Sequence, residues 1–168
     1  DAGLLPAAVA GCKPDLFLAT PQELCALLAG MCALRIAPGA EWLAHAAIVS
    51  QSKFYSFSTR HFASVALSLA ALSDVQAAAD AAAGGTPSSS SPSSSHGSSQ
   101  LALTTDLWAY SFYCYSHPKI ASAPVALLGQ MLHGLHRLGH TPPPEEWAEQ
   151  LAAGAAAGLP RAAPADLY

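Results

Sequence analysis

The sequence predicts an all-α chain: an α-solenoid of stacked antiparallel helix pairs with a 38–39-residue repeat. Three observations predict it. Alanine dominates an apolar share of 52%, while charged residues make up only 11%. Alanine favours helix and buries little area, so thin, closely packed helices are expected. Helix-start and helix-stop signals alternate at even spacing along the 168 residues. Tryptophan recurs in step with them, as Trp42, Trp108 and Trp147. β-Branched residues are too sparse for a large sheet.

The elements follow in order. Residues 1–12 read as helical, with Pro6 near the start, and Lys13-Pro14-Asp15 breaks them. Thr20-Pro21-Gln22-Glu23 carries three agreeing start signals: an N-cap threonine, proline at the first helical position, and a glutamate placed to close a capping box. Leu24, Leu27, Leu28, Met31 and Leu34 then form one apolar stripe, and Pro38-Gly39 ends the helix. Glu41-Trp42 opens the next, expected to run to about Phe54. Ser58 caps another, with Phe62, Val65, Leu69 and Leu72 as its stripe. Thr104-Thr105-Asp106 restarts a helix carrying Trp108, Tyr110, Phe112, Tyr113 and Tyr115, which His117-Pro118 is expected to end. Ala123-Pro124 starts one with Leu127, Leu128, Met131, Leu135 and Leu138, stopped by Gly139 and three prolines. Glu145 and Glu146 fall in the first turn of the Trp147 helix, where the dipole favours acid, and it runs to about Gly158. A last start signal lies at Ala163-Pro164-Ala165-Asp166.

Three regions result. Residues 1–75 hold helical repeats, a partial first copy and then a full one. Residues 76–100 are rich in alanine, glycine, serine and proline and are expected to form a disordered insertion, because they bury too little to offset their ordering entropy. Residues 101–168 continue the repeats, with the last copy truncated. The chain begins at Asp1 without methionine and reads as a piece of a longer protein, so its net charge of -4 describes a segment.

The repeat is visible in the spacing. Trp108 and Trp147 are 39 apart; Trp42 and Trp108 are 66 apart, one 38-residue step plus the 28 or so residues of the insertion. Thr20 and Ser58 are 38 apart, and Ser58, Pro124 and Ala163 each follow their tryptophan by 16. Four stripe columns align: Leu24, Phe62 and Leu128; Leu27, Val65 and Met131; Met31, Leu69 and Leu135; Leu34, Leu72 and Leu138. A single helix pair cannot bury both faces, and stacking successive pairs does.

A unit of this length resembles the octotricopeptide repeat family. The resemblance is carried by Pro142-Pro143-Pro144-Glu145-Glu146-Trp147, similar to that family's PPPEW signature with one extra glutamate, by Thr20-Pro21-Gln22-Glu23-Leu24, and by Leu135-His136-Arg137-Leu138-Gly139. Gly39-Ala40-Glu41-Trp42 and Thr105-Asp106-Leu107-Trp108 lack the prolines. The resemblance implies binding of single-stranded RNA, roughly one base per repeat. It further implies a post-transcriptional role in a chloroplast or mitochondrion, in transcript stability, splicing or translation, in company with proteins of an RNA-processing or ribosomal assembly.

Within the repeat frame three columns off the stripe differ between copies: Gln22, Arg60 and Ala126, then Glu23, His61 and Leu127, then Ala26, Ser64 and Gln130. Their polar members Gln22, Glu23, Arg60, His61, Ser64 and Gln130 are the candidate base readers. The alternative is that these are solvated helix positions. Lys53 and Lys119 each lie 11 after a tryptophan and are candidate phosphate contacts, with Arg137. A lysine closing a helix C-terminus gains from the dipole without any ligand, and that alternative stands beside the first. Seven basic residues against eleven acidic ones weaken the nucleic-acid reading. The rival is a protein-interaction scaffold on the same solenoid.

Other chemistries find little support. His133, His136 and His140 share a helix face over two turns, too spread for all three to hold one ion, though a pair could chelate; no metal site or cofactor is expected. There is no GxSxG, glycine-rich phosphate loop or HExxH, and no enzymatic activity is expected. The aromatic run from Trp108 to Tyr115 is expected to be inter-repeat core rather than a stacking platform for bases. Cys12, Cys25, Cys32 and Cys114 lack CxxC spacing and read as small core residues in a reducing compartment. No apolar run reaches the length of an uncharged membrane span, so no membrane partner is expected.

Overall fold

In the computed structural model, residues 14–83, 96–140 and 143–158 are described, with the backbone alone for 96–105. Among them the chain is all-helical, with no strand. The α-helices are α1 (Pro21–Ala33), α2 (Ala40–Ser52), α3 (Thr59–Ala83), α4 (His96–Ile120), α5 (Val125–Arg137) and α6 (Glu145–Gly158). Single 3-10 turns at Pro14–Phe17 and Phe54–Ser56 precede α1 and α3.

Local chemistry sets the helix ends. Thr20 caps α1 in a complete capping box with Glu23, and Pro21 occupies the first turn. α5 starts directly after Pro124, whose ring supplies the turn but no side-chain cap. The C-terminal ends of α1 and α5 share one geometry. Ile36 N–H bonds back to Met31 O and Arg35 N–H to Cys32 O; His140 N–H bonds to Leu135 O and Gly139 N–H to His136 O. The residue at the turn is left-handed in both, Arg35 at φ 50° and Gly139 at φ 83°. This paired bonding satisfies the last carbonyls of a helix.

The six helices pack as two sets. α1, α3 and α5 lie in sequence beside one another, and so do α2, α4 and α6; the sets meet at α2 with α3, α3 with α4, and α5 with α6. The Cys25 thiol donates to His61 O and the Cys32 thiol to Ser68 O. Both pairs span 36 residues, so α1 and α3 run parallel in constant register. Gly134 against Ala66 and Arg137 against Asp74 give α3 and α5 the same direction.

One core runs through both sets, from Leu16 to Trp147. The first column is fully buried in all three helices, as Leu24, Phe62 and Leu128, and so is the third, as Met31, Leu69 and Leu135. Phe54 packs its ring against Phe57, Phe62, Trp108 and Phe112, joining the turn before α3 to α4. Each such side chain contributes about 1.5–3 kcal/mol by burial.

Several expectations need correction. α3 continues through the alanines to Ala83 and α4 already begins at His96, so 76–83 and 96–100 are helical rather than disordered. Alanine's helix propensity, added to a helix already nucleated by packing, explains the first extension. His117-Pro118 does not end α4, which includes Pro118 and runs to Ile120. Proline removes one bond so close to the end, and Ile120 is fully buried just beyond it. Leu34 is 65% exposed because it is the C-cap of α1 and lies past the packed stripe. Cys114 is exposed on α4, unlike Cys25. α3 is, by length and composition, apolar enough to cross a membrane, yet Phe62, Val65, Leu69 and Leu72 on it are buried in the core. Residues 1–12, Cys12, 84–95 and the start signal at Ala163 lie outside the described residues.

Candidate functional site

The lysine column is placed by the turns before α1 and α3. Lys53 Nζ donates to Phe17 O at 2.8 Å. Lys119 Nζ donates to Phe57 O and sits 5.3 Å from the centre of the Phe62 ring. Both lysines close the C-terminal end of a helix of the α2/α4/α6 set, and both reach the backbone just ahead of a helix of the other set. Burial lowers the Lys119 pKa from the ordinary lysine value. One donor of each ammonium is thus committed to the fold.

Glu23 and His61 hold equivalent capping positions. Glu23 Oε2 accepts from Thr20 N–H at 2.8 Å, and Glu23 N–H donates to Thr20 Oγ1 at 3.3 Å. The bond from the Thr20 backbone holds the Glu23 carboxyl below its ordinary pKa. His61 repeats the pattern with an imidazole: the ring Nδ1 accepts from Ser58 N–H at 3.2 Å, and the His61 backbone N–H donates to Ser58 Oγ at 3.4 Å. An accepting Nδ1 requires the neutral ring. Burial lowers the His61 pKa, and the cations Arg60 and Lys119 add to that. These two base-reading candidates therefore serve first as helix caps.

The neighbouring column is open. Gln22 and Arg60 are exposed at equivalent positions in the first turns of the parallel helices α1 and α3. Neither side chain has a hydrogen bond among the described residues. Gln130 is exposed on α5, and Ser64 is half-buried beside the Cys25 thiol. Arg137 stands apart: it pairs with Asp74 toward the C-terminal ends of α5 and α3. The structure thus brings Arg60, Lys53 and Lys119 to the end of the stack where α1 and α3 begin, and leaves Arg137 at the other.

A recess that the sequence did not signal lies where α4 meets the joint between α5 and α6. Asp106, Ala109, Tyr110, Tyr113, Gly139, His140, Pro143 and Pro144 line an open volume of about 430 Å3. The α5 end turn sets His140, because the left-handed Gly139 throws the next residue back over α4. Tyr113 O–H donates to His140 O at 2.7 Å, and burial pushes the Tyr113 pKa up to about 12. The His140 ring lies 6.5 Å from that of Trp108. Its Nδ1 is 3.9 Å from Asp106 Oδ1, beyond hydrogen-bond range, and its Nε2 is buried without a hydrogen-bond partner among the described residues. Burial lowers the His140 pKa, which favours the neutral ring, and Asp106 opposes this only in part.

His133 and His136 are exposed on α5 while His140 is turned into the recess, so the three do not act together. Trp108, Phe112 and Tyr113 are buried between helices, and Tyr110 and Tyr115 are exposed. Spacing alone gave no cue to the recess, because Asp106 and His140 meet only through the packing of α4 against the end of α5. No family model, curated protein or solved structure matches the chain.

Proposed function

We propose that the chain is a segment of an α-solenoid with a 38–39-residue repeat, and that it binds single-stranded RNA without enzymatic activity. The single observation that carries this reading is the exposed pair Gln22 and Arg60, without hydrogen bonds among the described residues, at equivalent positions on adjacent parallel helices, with Lys53 and Lys119 at the same end of the helical array. Polar side chains that differ between copies at one position of a fixed frame suit base-by-base reading, as Gln22 and Arg60 do although the third copy has Ala126, and adjacent ammonium groups supply phosphate contacts. The equivalent bonds of Trp108 to Ser50 and Trp147 to Ser116 support the repeat. The sequence resemblance to octotricopeptide repeats supports, as part of the same proposal, a role in a chloroplast or mitochondrion in transcript stability, splicing or translation.

The test is binding of fluorescently labelled single-stranded RNA to the folded chain at stepped salt concentrations, with Arg60→Ala beside the parent. Binding that weakens with salt and with the substitution supports the reading. A second reading, a protein-interaction scaffold, is favoured by Arg137, whose charge is taken up by Asp74. Absence of RNA binding by a folded sample leaves that second reading in place.

A further inference from the structure

We propose that the recess between α4 and the α5–α6 joint is a docking site for an arginine side chain presented by a basic segment of a partner protein. The chemistry of the lining selects this occupant. The Asp106 side chain is 81% exposed and has no hydrogen bond among the described residues, since His140 Nδ1 stays 3.9 Å away. A carboxylate in that state accepts a guanidinium through two parallel N–H bonds. Tyr110, 67% exposed, presents an aromatic ring to the same space, and a guanidinium stacks on such a ring. Pro143, Pro144 and Ala109 provide apolar walls for the methylene stem.

Charge complementarity points the same way. No lysine or arginine lines the recess. Glu145 and Glu146 open α6 directly after Pro144, which deepens the negative field. A phosphate backbone is repelled there and a cationic side chain is drawn in. Arginine fits better than lysine, because a compact ammonium can neither bond the carboxylate twice nor stack. The site is separate from the Arg60, Lys53 and Lys119 end of the stack, so RNA and a partner protein would occupy different surfaces.

The experiment titrates the isotopically labelled full chain with the peptide acetyl-Gly-Arg-Gly-amide, and watches the backbone amide signals of Ala109, Tyr110 and Gly139. Parallel titrations use the lysine peptide, the neutral citrulline peptide and a short guanosine-rich oligoribonucleotide. The expected result is a saturable shift at those three amides with the arginine peptide, at least about tenfold weaker with the citrulline peptide. Asp106→Asn and Tyr110→Ala, both at exposed positions that leave the core intact, should each weaken it. No shift at these amides with the arginine peptide, or equal shifts with the citrulline peptide, overturns the proposal. So does a shift produced by the oligoribonucleotide and not by the peptide, which would make the recess a base pocket.

Discussion

The indole N–H of Trp147 donates to Ser116 Oγ at 2.9 Å, inside the core, and that of Trp108 donates to Ser50 Oγ at 2.8 Å. Each serine lies eight residues after the preceding tryptophan. The same bond thus ties α6 to α4 and α4 to α2, which fixes the stagger between successive helices of that set. A buried indole N–H without an acceptor is costly, so the serine is not replaceable by a residue of similar size alone.

Ser50→Ala and Ser116→Ala should therefore each cost about 1–3 kcal/mol, the penalty of a buried donor left unpaired. Urea denaturation followed by tryptophan fluorescence measures this. Similar losses for the two variants are expected from equivalent sites, and restoration by Ser116→Thr would show that the acceptor rather than the volume matters.

The glycines separate by what a methyl group would meet. At Gly134 an added Cβ would lie 2.7 Å from the Ala66 backbone carbon, where α5 crosses α3. Gly134→Ala should cost about 1–3 kcal/mol by forcing those helices apart. Gly30 and Gly129 meet nothing within 4 Å. Alanine at either should stabilise the chain by about 0.5–1 kcal/mol, as it does in an unobstructed helix interior. Thermal unfolding of the three single variants gives the order directly.

His140 and His61 make stability depend on pH. Both have folded pKa values below the ordinary histidine value, mainly through burial. The folded state then binds fewer protons than the unfolded chain as pH falls through the histidine range. Their contribution is complete above an unfolded pKa of about 6.5 and declines as pH falls from there toward the lower folded values. Denaturation at pH 7.5 and pH 5 should show the loss. His140→Gln should flatten it, and an undiminished slope in that variant would remove His140 as its source.

What could be read in advance was mostly local. Thr20 and Glu23 lie within one turn, and their capping box forms as their identities demand. The columns headed by Leu24 and Met31 were legible because helical spacing and burial share one period. Pro118 misled, because a local stop signal was outweighed by burial of Ile120 two residues later. The α3 extension was missed because an alanine run carries little stripe, although it continues a helix at low cost. The lysine column was legible as a column, and its bonds to Phe17 O and Phe57 O were not, since these depend on how the two sets of helices pack. The recess had no sequence signal for the same reason: its carboxylate and imidazole come from α4 and from the turn after α5.

The most direct test of RNA binding by this helical stack is the salt dependence of its affinity for single-stranded RNA, measured by fluorescence anisotropy on the folded chain. Three cations at one end, Arg60, Lys53 and Lys119, imply a slope of log K against log salt of no more than about -2, at roughly -0.7 per phosphate neutralised. Arg60→Ala should make the slope shallower by about that single-phosphate amount and weaken binding at low salt. Folded chain that shows no binding at 50 mM salt, or binding whose slope is unchanged by Arg60→Ala, would contradict the account.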